Sequence, residues 1–156
     1  MKNYFEQATV LKIVNCCGFE RDIILRIKNR TAKSPAEQIE KGTIECFDSD
    51  LPNIEENKTY SIKLRIDFNK GQNRLEEKKF EYIKITPLAK NQYKIFGQVV
   101  AKMDKEYVID CGFYVFIDPT KNLRLGDWIT TKGRLDMHMA KDNCYVTADM
   151  SPVVCL

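Results

Sequence analysis

The chain has 156 residues, of which 44% are hydrophobic and 30% charged, and it carries a formal net charge of +3. That composition fits a folded domain with one substantial core or two small ones and excludes a disordered or low-complexity chain. Residues 1–88 and 89–156 contribute +2 and +1, so neither half is the polycation that dedicated nucleic-acid binders usually present.

From the amino terminus, the apolar run in Met1–Cys17 is broken by Lys12, and no later run approaches the roughly 18 apolar residues of a membrane span. A cytoplasmic protein without membrane contact or export signal is expected. Short β-branched or aromatic runs bounded by Asn, Asp, Gly, Lys or Pro then predict strands at Ala8–Cys17, Asp22–Lys28, Thr43–Phe47, Thr59–Phe68 and Phe80–Ile85. Between the second and third, Ser34-Pro35-Ala36-Glu37 supplies a capping hydroxyl, a proline at the first helical position and a glutamate three residues on. Gly42 follows as a stop, so a helix of about two turns is expected near Ser34–Lys41. A second set of five strands follows at Tyr93–Lys102, Glu106–Cys111, Phe113–Ile117, Asp127–Met139 and Cys144–Met150. The fifth strands of both sets end at a proline, Pro87 and Pro152, which cannot continue a central ladder.

The two sets share an internal repeat. With residues 43–68 laid on 112–137 without a gap, Phe47, Asn53, Lys63, Arg65 and Asp67 meet Phe116, Asn122, Lys132, Arg134 and Asp136. In the second half, Gly97-Gln98-Val99-Val100 leads through the Tyr107–Ile117 hairpin to Leu125-Gly126-Asp127-Trp128, then Gly133-Arg134-Leu135 and a last strand. This order resembles the five-stranded OB barrel, in which a Gly-Asp turn enters a long fourth strand and a later glycine lets it curl. The resemblance covers residues 93–153. The first half departs from it, with Asn57-Lys58 in place of the Gly-Asp turn, Leu64 in place of Gly133, and its helix between the second and third strands. The expected architecture is mostly β: two small OB-like barrel units in tandem, 1–88 with a helical insertion near 34–41 and 89–156, meeting near Pro87–Gln92.

Alternation along the fourth strands sorts their side chains. Tyr60, Ile62, Leu64, Ile66 and Phe68 face the core, opposite Thr59, Ser61, Lys63, Arg65 and Asp67. Ile129, Leu135, Met137 and Met139 do the same, opposite Trp128, Thr130, Lys132, Arg134, Asp136 and His138. On the outer faces Trp128 can stack a base while Lys132 and Arg134, with Lys63 and Arg65, hold phosphates; alternatively these charges only solvate the sheet and pair across strands. On the hairpin, Tyr114 and Phe116 point outward on the second and third strands that OB modules use for ligands. Phe116 matches Phe47 and is assigned to packing against the amino-terminal half, while Tyr114 remains a candidate contact.

Catalysis finds no motif. His138 is the sole histidine, and neither a nucleophile elbow, a glycine-rich phosphate loop nor a Cys/His pair of zinc spacing is present. Cys16, Cys17, Cys46, Cys111, Cys144 and Cys155 lie in apolar strand-like runs and are expected as reduced core thiols, with no metal and no cofactor. The leading expectation is a non-catalytic module for single-stranded nucleic acid. The alternative is a protein-binding module, such as the inhibitor or immunity-type partner of a bacterial toxin; a carboxylate-based enzyme ranks third. A continuous positive groove over Lys63, Arg65, Lys132 and Arg134 favours nucleic acid, and a mixed, apolar-centred patch favours protein.

Overall fold

The structure, a computed structural model, describes residues 3–16, 20–48, 50, 52–67, 72–75, 84–103, 105–118, 122–140, 144–146 and 152–155. Its strands are β1 (Glu6–Cys16), β2 (Glu20–Ile27), β3 (Thr43–Asp48), β4 (Thr59–Asp67), β5 (Gln72–Leu75), β6 (Lys84–Ala89), β7 (Gln92–Met103), β8 (Glu106–Asp110), β9 (Tyr114–Ile117), β10 (Trp128–Met139), β11 (Cys144–Val146) and β12 (Pro152–Cys155). The helix α1 (Pro35–Gly42) lies between β2 and β3, and no helix of the described residues is long and apolar enough to cross a membrane. Its start is built as the sequence predicts. Ser34 Oγ accepts the Glu37 N–H at 3.1 Å, which satisfies a donor the helix end leaves open, and the Glu37 carboxylate reaches back past the cap to accept the Lys33 N–H at 3.0 Å.

Eight strands close a barrel. The circuit runs β1–β2–β3–β10–β7–β8–β9–β4 and back to β1. Most neighbours are antiparallel, but β3 meets β10 and β9 meets β4 in parallel. A further antiparallel pairing, β4 with β10, divides the circuit into two five-strand rings. One ring takes β1, β2 and β3, the other takes β7, β8 and β9, and both close on β4 and β10. Closure covers most of the strand edges that open sheets leave free to pair with other chains. β5 and β6 extend the sheet beside β10 and β7, and β11–β12 form a separate two-stranded ribbon.

The β4–β10 register places Ile66 opposite Leu135, residues that also stand at matching places when the two halves of the sequence are aligned. Around them Ile62, Leu64, Met137 and Met139 point inward and are buried, as alternation requires. The same rows continue into Ile23, Leu25, Ile95, Ile109, Phe113, Val115, Ile117 and Ile129, which form one core. Each such side chain contributes about 1.5–3 kcal/mol by leaving water.

The structure corrects the fifth strand of the first half. A strand was expected at Phe80–Ile85, ending before Pro87; residues 76–83 lie outside the described residues, and β6 runs through Pro87 to Ala89. Proline is accommodated because, among the described residues, β6 pairs on one side only, with β7, and its register shifts between Pro87 and Ala89. Residues 87–92 therefore hold a hairpin turn, with Asn91 at φ 46°. β5 and β12 have no counterpart among the expected strands, and Pro152 opens β12.

Cys46 and Cys111 are free, buried thiols, and burial pushes both well above the ordinary thiol range. The side chains of Cys16, Cys144 and Cys155, and Cys17 altogether, lie outside the described residues. A thiol held neutral and away from solvent does not attack an alkylating reagent. Cys46 and Cys111 are therefore expected to resist iodoacetamide at pH 8 in the native protein and to react once it is unfolded. Peptide mass spectrometry reads the difference, and rapid native labelling of either would contradict their burial.

Candidate functional site

Lys63, Arg65 and Arg134 come together on the outer face of the β4–β10 pair, because their alternation points them away from the core. Each is held by carboxylates. The Glu106 carboxylate accepts from Lys63 Nζ at 2.5 Å and from Arg65 Nη1 at 3.0 Å, and Arg65 also pairs with Asp118. Arg134 grips Asp136 with Nε at 2.6 Å and Nη2 at 2.9 Å, and reaches Asp67 at 3.4 Å. Burial raises the Asp136 carboxyl above its ordinary value, a rise that the hydrogen bonds and charge of Arg134 oppose. His138 Nδ1 lies 2.7 Å from Asp50.

Beneath these charges lie two aromatic rings that the sequence alignment matches. Arg134 covers Phe47 at 3.8 Å from ring centre, and Lys63 covers Phe116 at 4.6 Å. Cation–ring contacts of this kind contribute about 0.5–2 kcal/mol. The face is therefore mixed in charge over an aromatic layer, and its cations are bound to the protein's own carboxylates. A continuous positive groove over Lys63, Arg65 and Arg134 is not what these pairings make.

Tyr114 lies half-buried between Tyr4, whose ring meets it edge-on at 4.9 Å, and Arg30, whose guanidinium sits 4.0 Å above it. Arg30 bonds Asp110 at 2.8 Å and Glu6 at 3.3 Å, and Glu6 accepts the Tyr114 N–H at 2.8 Å. Burial raises the Glu6 carboxyl, against the lowering effect of that N–H and of Arg30. Phe116 stacks on Phe5 at 6.2 Å and is 3% exposed, so it packs against the amino-terminal half as the repeat suggested.

Trp128 and Lys132 occupy a different environment, the outer face where β10 pairs with β7. The register sets Trp128 opposite Gln98, Thr130 opposite Phe96, Lys132 opposite Lys94 and Arg134 opposite Gln92. None of these eight outward residues is acidic. Trp128 stacks on Phe96, with ring centres 5.6 Å apart and planes 16° from parallel. Two residues along, Lys94 and Lys132 are exposed and directly opposed, and neither has an ion pair among the described residues. Like charges facing each other across strands are destabilising. The Trp128 indole N–H and the Thr130 hydroxyl on this face are buried without a hydrogen-bond partner among the described residues.

Phe96 and Lys94 escaped the sequence reading. The alternation along β7 holds the signal that sets them outward, since Tyr93, Ile95, Gly97 and Val99 are buried and the residues between them face out. What joins them to Trp128 and Lys132 is the pairing of β7 with β10, which no local pattern states. Comparison with models of known protein families, with curated proteins and with solved structures found no match.

Proposed function

We propose that the protein is a non-catalytic binding module whose β7–β10 outer face takes single-stranded nucleic acid. One observation carries the reading: Lys94 and Lys132 stand directly opposed, neither with an ion pair among the described residues, beside the stacked Phe96–Trp128 rings. Two cations at this spacing repel each other until an anion lies between them, and a phosphodiester is such an anion; the flat rings beside them suit a base. The OB resemblance supports it, with each half read as an OB-like unit that contributes three strands to its own ring and closes on the fourth strands of both. Arg134 borders this face, while Lys63, Arg65 and Tyr114 belong to the mixed surfaces that favour a protein partner.

Addition of oligo(dT) or oligo(U) at low salt is expected to quench the fluorescence of the lone tryptophan. Trp128→Ala should weaken binding by about 1–3 kcal/mol, the usual worth of one stacked base. Lys94→Ala or Lys132→Ala should each lower the salt slope by about 0.7, the counterion release of one single-strand phosphate contact. Lys94→Glu separates function from folding: it replaces a repulsion with an ion pair to Lys132, so the variant should melt higher while binding more weakly. Absence of quenching with either polymer would transfer the proposal to a protein partner on the β4–β10 face.

A further inference from the structure

The barrel has an open seam between β3 and β6. β3 touches β10 at one position, Phe47 with Asp136. One step earlier the ladder stops, because the Leu135 N–H is given to the Asn91 carbonyl of the β6–β7 turn at 2.8 Å. That turn is held in place by Asp22, which accepts from Asn91 Nδ2 at 2.8 Å and pairs with Lys90 at 2.7 Å. β3 therefore loses its neighbour along Thr43–Glu45.

The groups that face the seam can be identified. The Glu45 N–H points away from β2, since it donates to the Tyr93 hydroxyl at 2.8 Å. In an antiparallel pair, residues alternate between exchanging both main-chain bonds with their neighbour and directing both away. The Glu45 and Thr43 carbonyls thus face the seam with the Glu45 N–H, and no strand of the described residues pairs with them. Across the gap, β6 is paired, among the described residues, on its β7 side only. A cleft of about 870 Å3 lies between these edges, walled by α1 and floored in part by Ile44, Ile85 and Tyr93.

We propose that this seam captures an extended segment of a protein partner as an added strand on β3, and that the segment carries a basic residue. Strand addition draws affinity from main-chain bonds and specificity from the side chains alongside. Within the cleft Glu37 is engaged by Lys41 at 2.5 Å, whereas Glu40 and Glu45 have no ion pair among the described residues. Two carboxylates against the single remaining Lys33 give the cleft its preference for a cation. The cleft adjoins the β7–β10 face, since Thr86 on its wall stands opposite Lys94, but the proposal does not depend on the nucleic-acid reading.

Selection of a random twelve-residue peptide library on the full-length protein tests the proposal. Enriched peptides should carry Lys or Arg, shift the amide resonances of Thr43 and Glu45, and bind at least tenfold more weakly when Glu40 and Glu45 are both replaced by lysine. Proline placed at alternate central positions of an enriched peptide should abolish its binding. Tyr93→Phe gives a gain that misfolding cannot imitate: it uncovers the Glu45 N–H and should tighten capture severalfold. The proposal is overturned if no peptide is enriched, if the selected peptides ignore these substitutions, or if their shifts fall away from β3. It is equally overturned if sedimentation shows that the seam joins two copies of this chain.

Discussion

Divided into residues 1–88 and 89–156, the protein is expected to lose its fold in both pieces and to regain it when the pieces are mixed. The reason lies in the shared closing strands. A piece ending at 88 holds β1 to β4 but lacks β10, so the inward Ile62, Leu64 and Ile66 lose Met139, Met137 and Leu135 opposite them. The second piece holds β7 to β10 but lacks β4, and β9 loses its parallel neighbour. Each missing large apolar contact removes about 1.5–3 kcal/mol of burial, and a handful of these exceeds the roughly 5–15 kcal/mol by which a domain is stable. Amide dispersion in the NMR spectrum of each piece, followed by titration of one with the other, reads the outcome. If either piece alone gives dispersed resonances and a cooperative melt, closure by shared strands is the wrong account of its stability.

The limits of the sequence reading follow from the same pairings. Period-two alternation is local, and it placed Ile66 and Leu135 inward and Lys63, Arg134 and Trp128 outward, where the structure has them. Helix capping is also local, and Ser34 with Glu37 behaves as its spacing predicts. Which strand lies beside which is decided by contacts between residues far apart in the chain. The parallel approach of β9 to β4 and of β10 to β3 therefore left no trace in any short window. The ion pairs of Lys63 and Arg65 depend on Glu106, more than 40 residues away, so their charge looked available when read along β4 alone. The turn at Asn91 escaped for another reason: a left-handed asparagine after Lys90 carries a weaker turn signal than glycine would.

Replacing Gly112 by alanine is expected to cost about 2–6 kcal/mol. Gly112 sits between β8 and β9 at φ +106°, where a residue with a side chain is strained by about 1–3 kcal/mol. Its added Cβ would also overlap the Asn29 side-chain amide. Asn29 is 3% exposed and ties the β2–α1 loop together: its Oδ1 accepts from the Thr31 N–H at 3.0 Å and hydroxyl at 2.7 Å, and its Nδ2 donates to the Lys41 carbonyl at 3.1 Å. The Arg30 N–H closes the junction on the Gly112 carbonyl at 2.8 Å. Moving Asn29 aside leaves buried polar groups unpaired, worth a further 1–3 kcal/mol or so. Gly126 supplies the control, because at φ +93° it carries the same kind of strain with no atom within 4 Å of an added Cβ. Gly126→Ala should therefore lose only about 1–3 kcal/mol in urea unfolding. In an Asn29→Ala background, where the obstructing amide is gone, the cost of Gly112→Ala should fall toward that of Gly126→Ala. Equal losses for the two glycine variants, or strict additivity with Asn29→Ala, would show that strain alone and not the Asn29 contact governs this junction.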